Sequence, residues 1–290
     1  DPACGSGGLL LKFAKILGKE NVKQGFFGQE INLTTYNLAR INMFLHDINY
    51  NNFSIVREDT LIHPAHWDDE PFDAIVSNPP YSIKWAGKSN PILINDERFA
   101  PAGVLAPESK ADLAFTMHML SWLSQKGTAA IVEFPGVLYR GGAEQKIRQY
   151  MIDNNFVDTV IQLPSDLFFG TSIATCILVL KKNKSDNSIL FVDASEECVR
   201  NTNKNKLSED NINNIIKLLK ERKTTDKSYL ASYDEVKDNE YNISVNSYLM
   251  LETDDSKIDI NEVNKKLKEI VPRQQQIRKE LEDIIKELEV

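Results

Sequence analysis

The sequence predicts an α/β protein with a mainly parallel sheet and a helical extension at its carboxyl end. Three observations predict it. Short apolar runs alternate with segments of helical periodicity. Several of the runs are continuously apolar, as in strands covered on both faces. The chain also opens on a cluster of glycines that leads straight into a helical pattern, Leu9–Leu17.

Taken in order, the predicted strands are Gly25–Glu30, Ser54–Asp59, Phe72–Asn78, Thr128–Phe134, Val157–Leu163, Ala174–Lys181 and Ile189–Asp193. Leu33–Leu45 and Ala111–Leu123 carry apolar residues at helical spacing, and Gly142–Asn154 reads as a third helix between strands. Residues Trp85–Pro107 are rich in Gly, Pro, Asn and Asp and lack periodicity, the pattern of a lid or binding loop. Beyond Asp193 the composition shifts: Asn201–Lys206 reads as a polar connector, Ser208–Arg222 as an amphipathic helix capped by Ser208, and Tyr241–Leu251 as irregular chain. The expected organisation is a sheet domain over 1–195, a mixed extension over 196–252 and helices over 253–290.

That last segment has a heptad pattern. Ile260, Val263, Leu267, Ile270, Gln274, Ile277, Leu281, Ile284 and Leu288 alternate in steps of three and four, with charges between them. Pro272 predicts a kink or the start of a second helix. The stripe fits either a terminal helix packed on its own domain or a helix awaiting a partner.

Composition narrows the function classes. With 42% hydrophobic and 26% charged residues, the chain is neither disordered nor collagen-like. Its longest apolar stretch, near Ile173–Leu180, falls far short of the ~20 residues of a membrane span. The first residues carry no signal-peptide pattern, and three cysteines (Cys4, Cys176, Cys198) read as reduced thiols, so a cytoplasmic location is expected. A net charge of −8 argues against a protein that coats nucleic acid unaided.

The candidate chemistry lies at strand ends. Asp1-Pro-Ala-Cys-Gly-Ser-Gly-Gly8 precedes a helix, where glycines permit close approach of a ligand to free N–H groups. Glu30 ends the next predicted strand and could accept from a ribose diol, and Glu58-Asp59 end the one after, where a carboxylate could meet an adenine edge. Three such ends in succession describe a nucleoside pocket. Asn78-Pro79-Pro80-Tyr81 then closes the strand that starts at Phe72. The two prolines fix the backbone so that the Asn78 amide oxygen and the Pro79 carbonyl sit side by side. Two acceptors suit the two N–H donors of an exocyclic amino group and stabilise the positive charge that develops when its nitrogen attacks. Tyr81 offers a face for a flat base, worth roughly 1–3 kcal/mol. Cys4 is expected to be a small packed residue and not a nucleophile, and His63 and His66 lack further ligands nearby for a metal.

DPACGSGG, NPPY, Ala129–Gly142 (AAIVEFPGVLYRGG) and Gly170–Lys181 (GTSIATCILVLK) closely resemble the modification subunit of type I restriction–modification systems. The resemblance runs through essentially the whole chain. It implies a Rossmann-like, S-adenosylmethionine-dependent methyltransferase sheet acting on adenine N6 in double-stranded DNA. By resemblance, Asp1, Ala3, Gly5, Ser6, Gly7 and Gly8 hold the methionine part of the cofactor, Glu30 the ribose and Asp59 the adenine. Asn78, Pro79, Pro80 and Tyr81 take the target base, with Phe169 on its opposite face, and Asn78 also belongs to the cofactor-binding set. The methyl group then moves by direct in-line displacement to an adenine rotated out of the duplex, without a metal.

The same resemblance implies partners: a specificity subunit that reads the sequence, a second copy of the modification subunit and a restriction subunit. The specificity subunit is expected to pack on Ile260, Val263, Leu267, Ile277, Leu281, Ile284 and Leu288. In the family a strand feeds the position of Asp1 and a helical amino-terminal domain precedes it. The chain is therefore expected to be part of a longer subunit and to fold poorly or bind cofactor weakly alone. Lys84, Lys88 and Arg98, in the long segment after Tyr81, are the expected DNA contacts. Two rival readings remain. NPPY also occurs in protein-glutamine and ribosomal-RNA methyltransferases, which typically read closer to D-x-G-x-G-S-G at the first motif and lack a heptad tail. A truncated, inactive assembly module is the other.

Overall fold

The computed structural model describes residues 1–66, 70–168, 172–202, 204–249, 268 and 270–280. The chain forms two units, Asp1–Leu249 and Met250–Val290.

In the first unit, helix α1 (Gly8–Leu17) follows the glycine cluster and strand β1 (Phe26–Gln29) follows it. Helix α2 (Leu33–Leu45) starts at Asn32, whose side chain accepts from the N–H groups of Thr34 and Thr35. Strands β2 (Phe53–Val56) and β3 (Phe72–Ser77) come next, then helix α3 (Asp112–Trp122) running directly into β4 (Leu123–Glu133). Helix α4 (Ala143–Asp153), strands β5 (Val157–Gln162), β6 (Cys176–Lys181) and β7 (Ile189–Asp193) complete the predicted series. The carboxyl part adds β8 (Val199–Asn201), β9 (Lys204–Lys206), helix α5 (Glu209–Glu221), β10 (Ser228–Ala231) and helix α6 (Tyr233–Asp238). Ser208 caps α5 in a reciprocal capping box with Asn211, as the sequence predicts.

The sheet is mixed where a mainly parallel one was expected. β1 and β2 pair in parallel, and a separate six-stranded sheet runs β10-β7-β5-β6-β4-β3. Within it β3/β4 and β5/β7 are parallel, while β6 is antiparallel to both β4 and β5, and β10 to β7. A parallel return needs a crossover, usually a helix. The chain between β5 and β6 contains no helix among its described residues, so β6 comes straight back. Within Asn201–Lys206, read as a polar connector, Asn201 and Lys204–Lys206 instead belong to the paired strands β8 and β9.

Between β1 and β3 the sheet is interrupted by a cavity of about 500 Å³ lined by Phe26, Phe27, Phe72, Ala74, Ile75 and Trp122. Asp1 stands at its upper end. The Asp1 amino group donates to the Phe27 carbonyl (2.9 Å) and the Asp1 carbonyl accepts from the Gln29 N–H (3.1 Å). That pair of bonds is the pattern of a parallel bridge between Asp1 and Gly28. The backbone ahead of Asp1 would thus run parallel to β1 into the cavity, beside the exposed Asp73 and Ala74 of β3.

The main core lies on the six-stranded sheet. α3 is buried on every side, consistent with its apolar sequence, because the segment from Trp85 to Pro107 covers its outer face. That segment is packed and not an open loop: it forms three short 3₁₀ turns and buries Leu93, Phe99, Leu105 and Ala106. At the other end, Arg148 of α4 is 1% exposed and donates to the carbonyls of Val137 (2.9 Å), Arg140 (2.7 Å) and Tyr241 (2.9 Å). It rivets the irregular chain after α6 to the sheet domain. Arg148→Met should leave these acceptors unpaired and cost about 3 kcal/mol of stability in urea unfolding.

In the second unit, residue 268 and residues 270–280 are helical. Pro272 lies within residues 270–280. Ile270 and Ile277 are exposed. Ile260, Val263, Leu267, Leu281, Ile284 and Leu288 lie outside the described residues. No helix among the described residues is long and apolar enough to cross a membrane.

Candidate active site

The glycine cluster forms a left-handed turn. Gly5 (φ +54) and Gly7 (φ +79) take conformations that side chains resist, and Leu11 N–H closes onto the Gly7 carbonyl at 3.0 Å to start α1. Gly7 also packs tightly: a Cβ there would sit 3.3 Å from the Met43 side chain of α2. At Gly5 and Gly8, by contrast, a Cβ would meet nothing within 4 Å. The space over those two residues is therefore open, and α1 has no side-chain cap over its first N–H groups.

Three loops and helix α2 are hydrogen-bonded around this turn. Asp1 Oδ1 accepts from Ala3 N–H (3.0 Å) and from the Ser77 hydroxyl (2.8 Å), tying the turn to the end of β3. Glu30, at the end of β1, accepts from Gly5 N–H (3.1 Å) and Asn32 N–H (2.8 Å). The Thr60 hydroxyl donates to the Pro2 carbonyl (2.6 Å), and Asn42 of α2 donates to the Ser6 carbonyl (2.9 Å). Asp59 lies just past β2, with Oδ1 accepting from Leu61 N–H at 2.9 Å. Thus Asp1, Glu30, Asp59 and Asn78 are on neighbouring, mutually bonded loops, the last three of them at the carboxyl ends of β1, β2 and β3. Ser77, Thr60, Asn42 and Asn32 form the supporting bonds. Sequence reasoning missed these four, because lone polar residues at strand and helix ends carry no local signature of their partner.

Pro79 is buried while Asn78 and Pro80 are exposed and Tyr81 is half-buried. The Tyr81 hydroxyl donates to Asn78 Oδ1 at 2.7 Å, so the acceptor expected to meet a base amino group already has a donor. A base entering here would exchange one hydrogen bond for another. Burial and the neighbouring Glu133 push the Tyr81 hydroxyl up to about 12, so it remains a donor at neutral pH. Burial likewise raises the Cys4 thiol to about 11 and blocks thiolate chemistry. Phe169 lies outside the described residues.

Arg98 does not reach DNA from here. It is 2% exposed, because its guanidinium satisfies the carbonyls of Thr60 (2.9 Å) and Leu61 (2.8 Å) and pairs with Asp96 (2.7 Å). It holds the segment after Tyr81 against the loop that carries Asp59. Lys84 and Lys88 remain exposed. His66 is buried against the Gly28 carbonyl at 3.2 Å.

Behind the turn lies Glu133, wholly buried at the end of β4. Burial pushes its carboxyl up to about 8, against the opposing pull of the Thr116 hydroxyl at 2.6 Å, and nearby Asp112 adds to the rise. The folded state therefore keeps a proton that the unfolded chain, near the ordinary 4.5, gives up. The associated stability is fully present at acid pH and declines as pH rises from about 4.5 towards about 8. Glu133→Gln should remove that decline, gaining on the order of a few kcal/mol over wild type at the alkaline end. Urea unfolding of both proteins across this range measures it, and parallel curves would contradict it.

A left-handed glycine turn at a helix N-terminus, with acidic and amide side chains at the ends of adjoining strands, is the arrangement of an open α/β protein with a candidate ligand site at the carboxyl ends of its strands. The model of the family described as N-6 DNA methylase matches residues 1–257. The chain belongs to that family. It is 48% identical over its whole length to the type I restriction enzyme MpnII methylase subunit of Mycoplasma pneumoniae, covering 55% of that protein. Over 93% of its length it is 32% identical to the MjaVIII methylase subunit of Methanocaldococcus jannaschii, covering 49% of it. Among solved structures, the type I restriction–modification methyltransferase subunit from Streptococcus thermophilus superposes with a TM-score of 0.81 at 40% identity, over 86% of this chain and 53% of that one. The chain spans about half the length of the curated relatives it matches.

Proposed function

We propose that this chain is the catalytic part of a site-specific DNA methyltransferase subunit of a type I restriction–modification complex, moving a methyl group from S-adenosylmethionine to N6 of an adenine turned out of the duplex. The observation that carries the reading is that bonds from Glu30, Thr60 and Ser77 gather the Gly5–Gly8 turn, Glu30, Asp59 and Asn78–Tyr81 at neighbouring strand ends. Family membership and the relatives' names as type I methylase subunits support it. The open space over Gly5 and Gly8 and the uncapped start of α1 fit a carboxylate-bearing cofactor tail. Glu30 and Asp59 would hold the ribose and adenine.

When bound, S-adenosylmethionine supplies an electrophilic methyl group on sulfur. The protein's share is orientation. Asn78 Oδ1 and the Pro79 carbonyl accept the two amino N–H groups, drawing the nitrogen towards tetrahedral geometry and offsetting its developing charge. Tyr81 stacks on the ring. The methylated nitrogen is itself acidic and loses its proton without a dedicated base.

The proposed partners are double-stranded DNA, a specificity subunit, a second copy of this subunit and a restriction subunit. The net charge of −8 is consistent with DNA held partly by others. Expressing the complete reading frame with its specificity subunit and assaying tritiated methyl transfer tests the reading. N6-methyladenine in duplex DNA at a bipartite site is expected; label in RNA or in protein glutamine overturns it. Leu267→Asp combined with Leu281→Asp is expected to abolish co-purification with the specificity subunit, and an unchanged pull-down refutes the heptad assignment.

A further inference from the structure

Immediately after Tyr81 the backbone does something costly. Ser82 has φ +50, in the left-handed region that a β-carbon disfavours by roughly 1–2 kcal/mol. Its N–H donates to Asp112 Oδ1 at 2.9 Å, and one residue on, the Ile83 carbonyl accepts from Ala111 N–H at 2.9 Å. Two bonds thus clip the chain leaving Tyr81 to the first turn of α3. Asp112 is 1% exposed, an unusual place for a carboxylate. It sits at the positive end of α3. Its second oxygen, Oδ2, has no hydrogen-bond partner, so its chief visible bond is the one to Ser82. Asp112 lies thirty positions from Ser82 in sequence.

We propose that Asp112 is a positioning residue for methyl transfer: by locking Ser82 in its left-handed conformation it fixes the direction in which Tyr81 presents its ring to the target base. The idea rests on the methyltransferase reading above. It predicts a particular split. The bond between Asp112 and Ser82 lies on the base side of the site, whereas the Gly5–Gly8 turn, Glu30 and Asp59 are held by other bonds. Loss of the Asp112 acceptor should therefore reduce turnover and spare cofactor affinity.

The test uses the complete protein assembled with its specificity subunit, in wild-type, Asp112→Ala, Asp112→Ser and Asp112→Asn forms. Asp112→Ala is expected to lower kcat about 10- to 100-fold with the KM for S-adenosylmethionine within about twofold of wild type. Asn keeps an oxygen at the same reach and should restore most of the loss. Ser keeps a hydroxyl suited to a helix start but is too short to reach Ser82, so it should behave like Ala and serves if the Ala protein does not fold. Amide hydrogen exchange at Ser82, read without any substrate, should be slow in wild type and Asn and fast in Ala and Ser. Wild-type kcat in the Ala or Ser protein, failure of Asn to restore, or a matching loss of cofactor affinity overturns the proposal. If wild type itself transfers no methyl group, the functional reading fails, and Ser82 exchange still decides whether Asp112 holds the turn.

Discussion

Asn78→Ala should lower methyl transfer about 10²- to 10³-fold while S-adenosylmethionine binding stays within a few-fold of wild type. On the proposed mechanism the amide oxygen is one of two acceptors for the amino group, and its contribution grows as the nitrogen becomes positive. An interaction stronger in the transition state than in the ground state appears in kcat. Cofactor affinity should be spared because the turn is anchored through Asp1 and Ser77, not through the Asn78 side chain. Tyr81→Phe is the informative companion. It frees Asn78 Oδ1 from the 2.7 Å bond it now accepts while keeping the stacking face, so it should cost far less than Tyr81→Ala. Single-turnover kinetics with equilibrium dialysis of the cofactor separate these effects. A wild-type rate in the Asn78→Ala protein would remove Asn78 from the mechanism.

Supplying an extended apolar segment of about five residues ahead of Asp1 should raise the melting temperature of the chain by about 10 °C. The cavity between β1 and β3 is walled by Phe26, Phe27, Phe72, Ile75 and Trp122, and Asp1 already bonds to β1 as the end of a parallel strand would. A strand entering there pairs with β1 on one side and β3 on the other, joining the two sheets. Each apolar side chain it buries contributes roughly 1.5–3 kcal/mol before the entropy of ordering it. The control is the same extension with a central proline, which lacks the N–H needed for the ladder. Equal melting temperatures for the two would show that the cavity is not a strand site. Cofactor affinity should rise with the apolar extension, since the same strand anchors the glycine turn through Asp1.

Local sequence was sufficient wherever the signal was local. The strand Ile189–Asp193 and helix Leu33–Leu45 were legible because continuous apolar runs and period-3.6 stripes are properties of the chain itself. The glycine turn and NPPY were legible for the same reason: positive φ favours glycine, and paired prolines restrict backbone direction. Pairing direction was not. β6 has the composition of any buried strand, and only its neighbours make it antiparallel. Strand β10 and the β8/β9 hairpin were missed, being short and half polar. Arg98 shows the limit most clearly. A basic residue in a polar segment after NPPY reads as a DNA contact, yet the fold buries it on two carbonyls next to Asp59.

The sequence by itself determined most strands and helices of the sheet domain, the glycine turn, the NPPY tetrapeptide and the family, because each depends on residues adjacent along the chain. Only the tertiary structure decided the mixed sheet, the cavity below Asp1, the burial of Arg98 and the clip between Ser82 and Asp112. Those depend on which distant polar groups find one another once water is excluded. A buried donor or acceptor must be paired, but the sequence does not say with what.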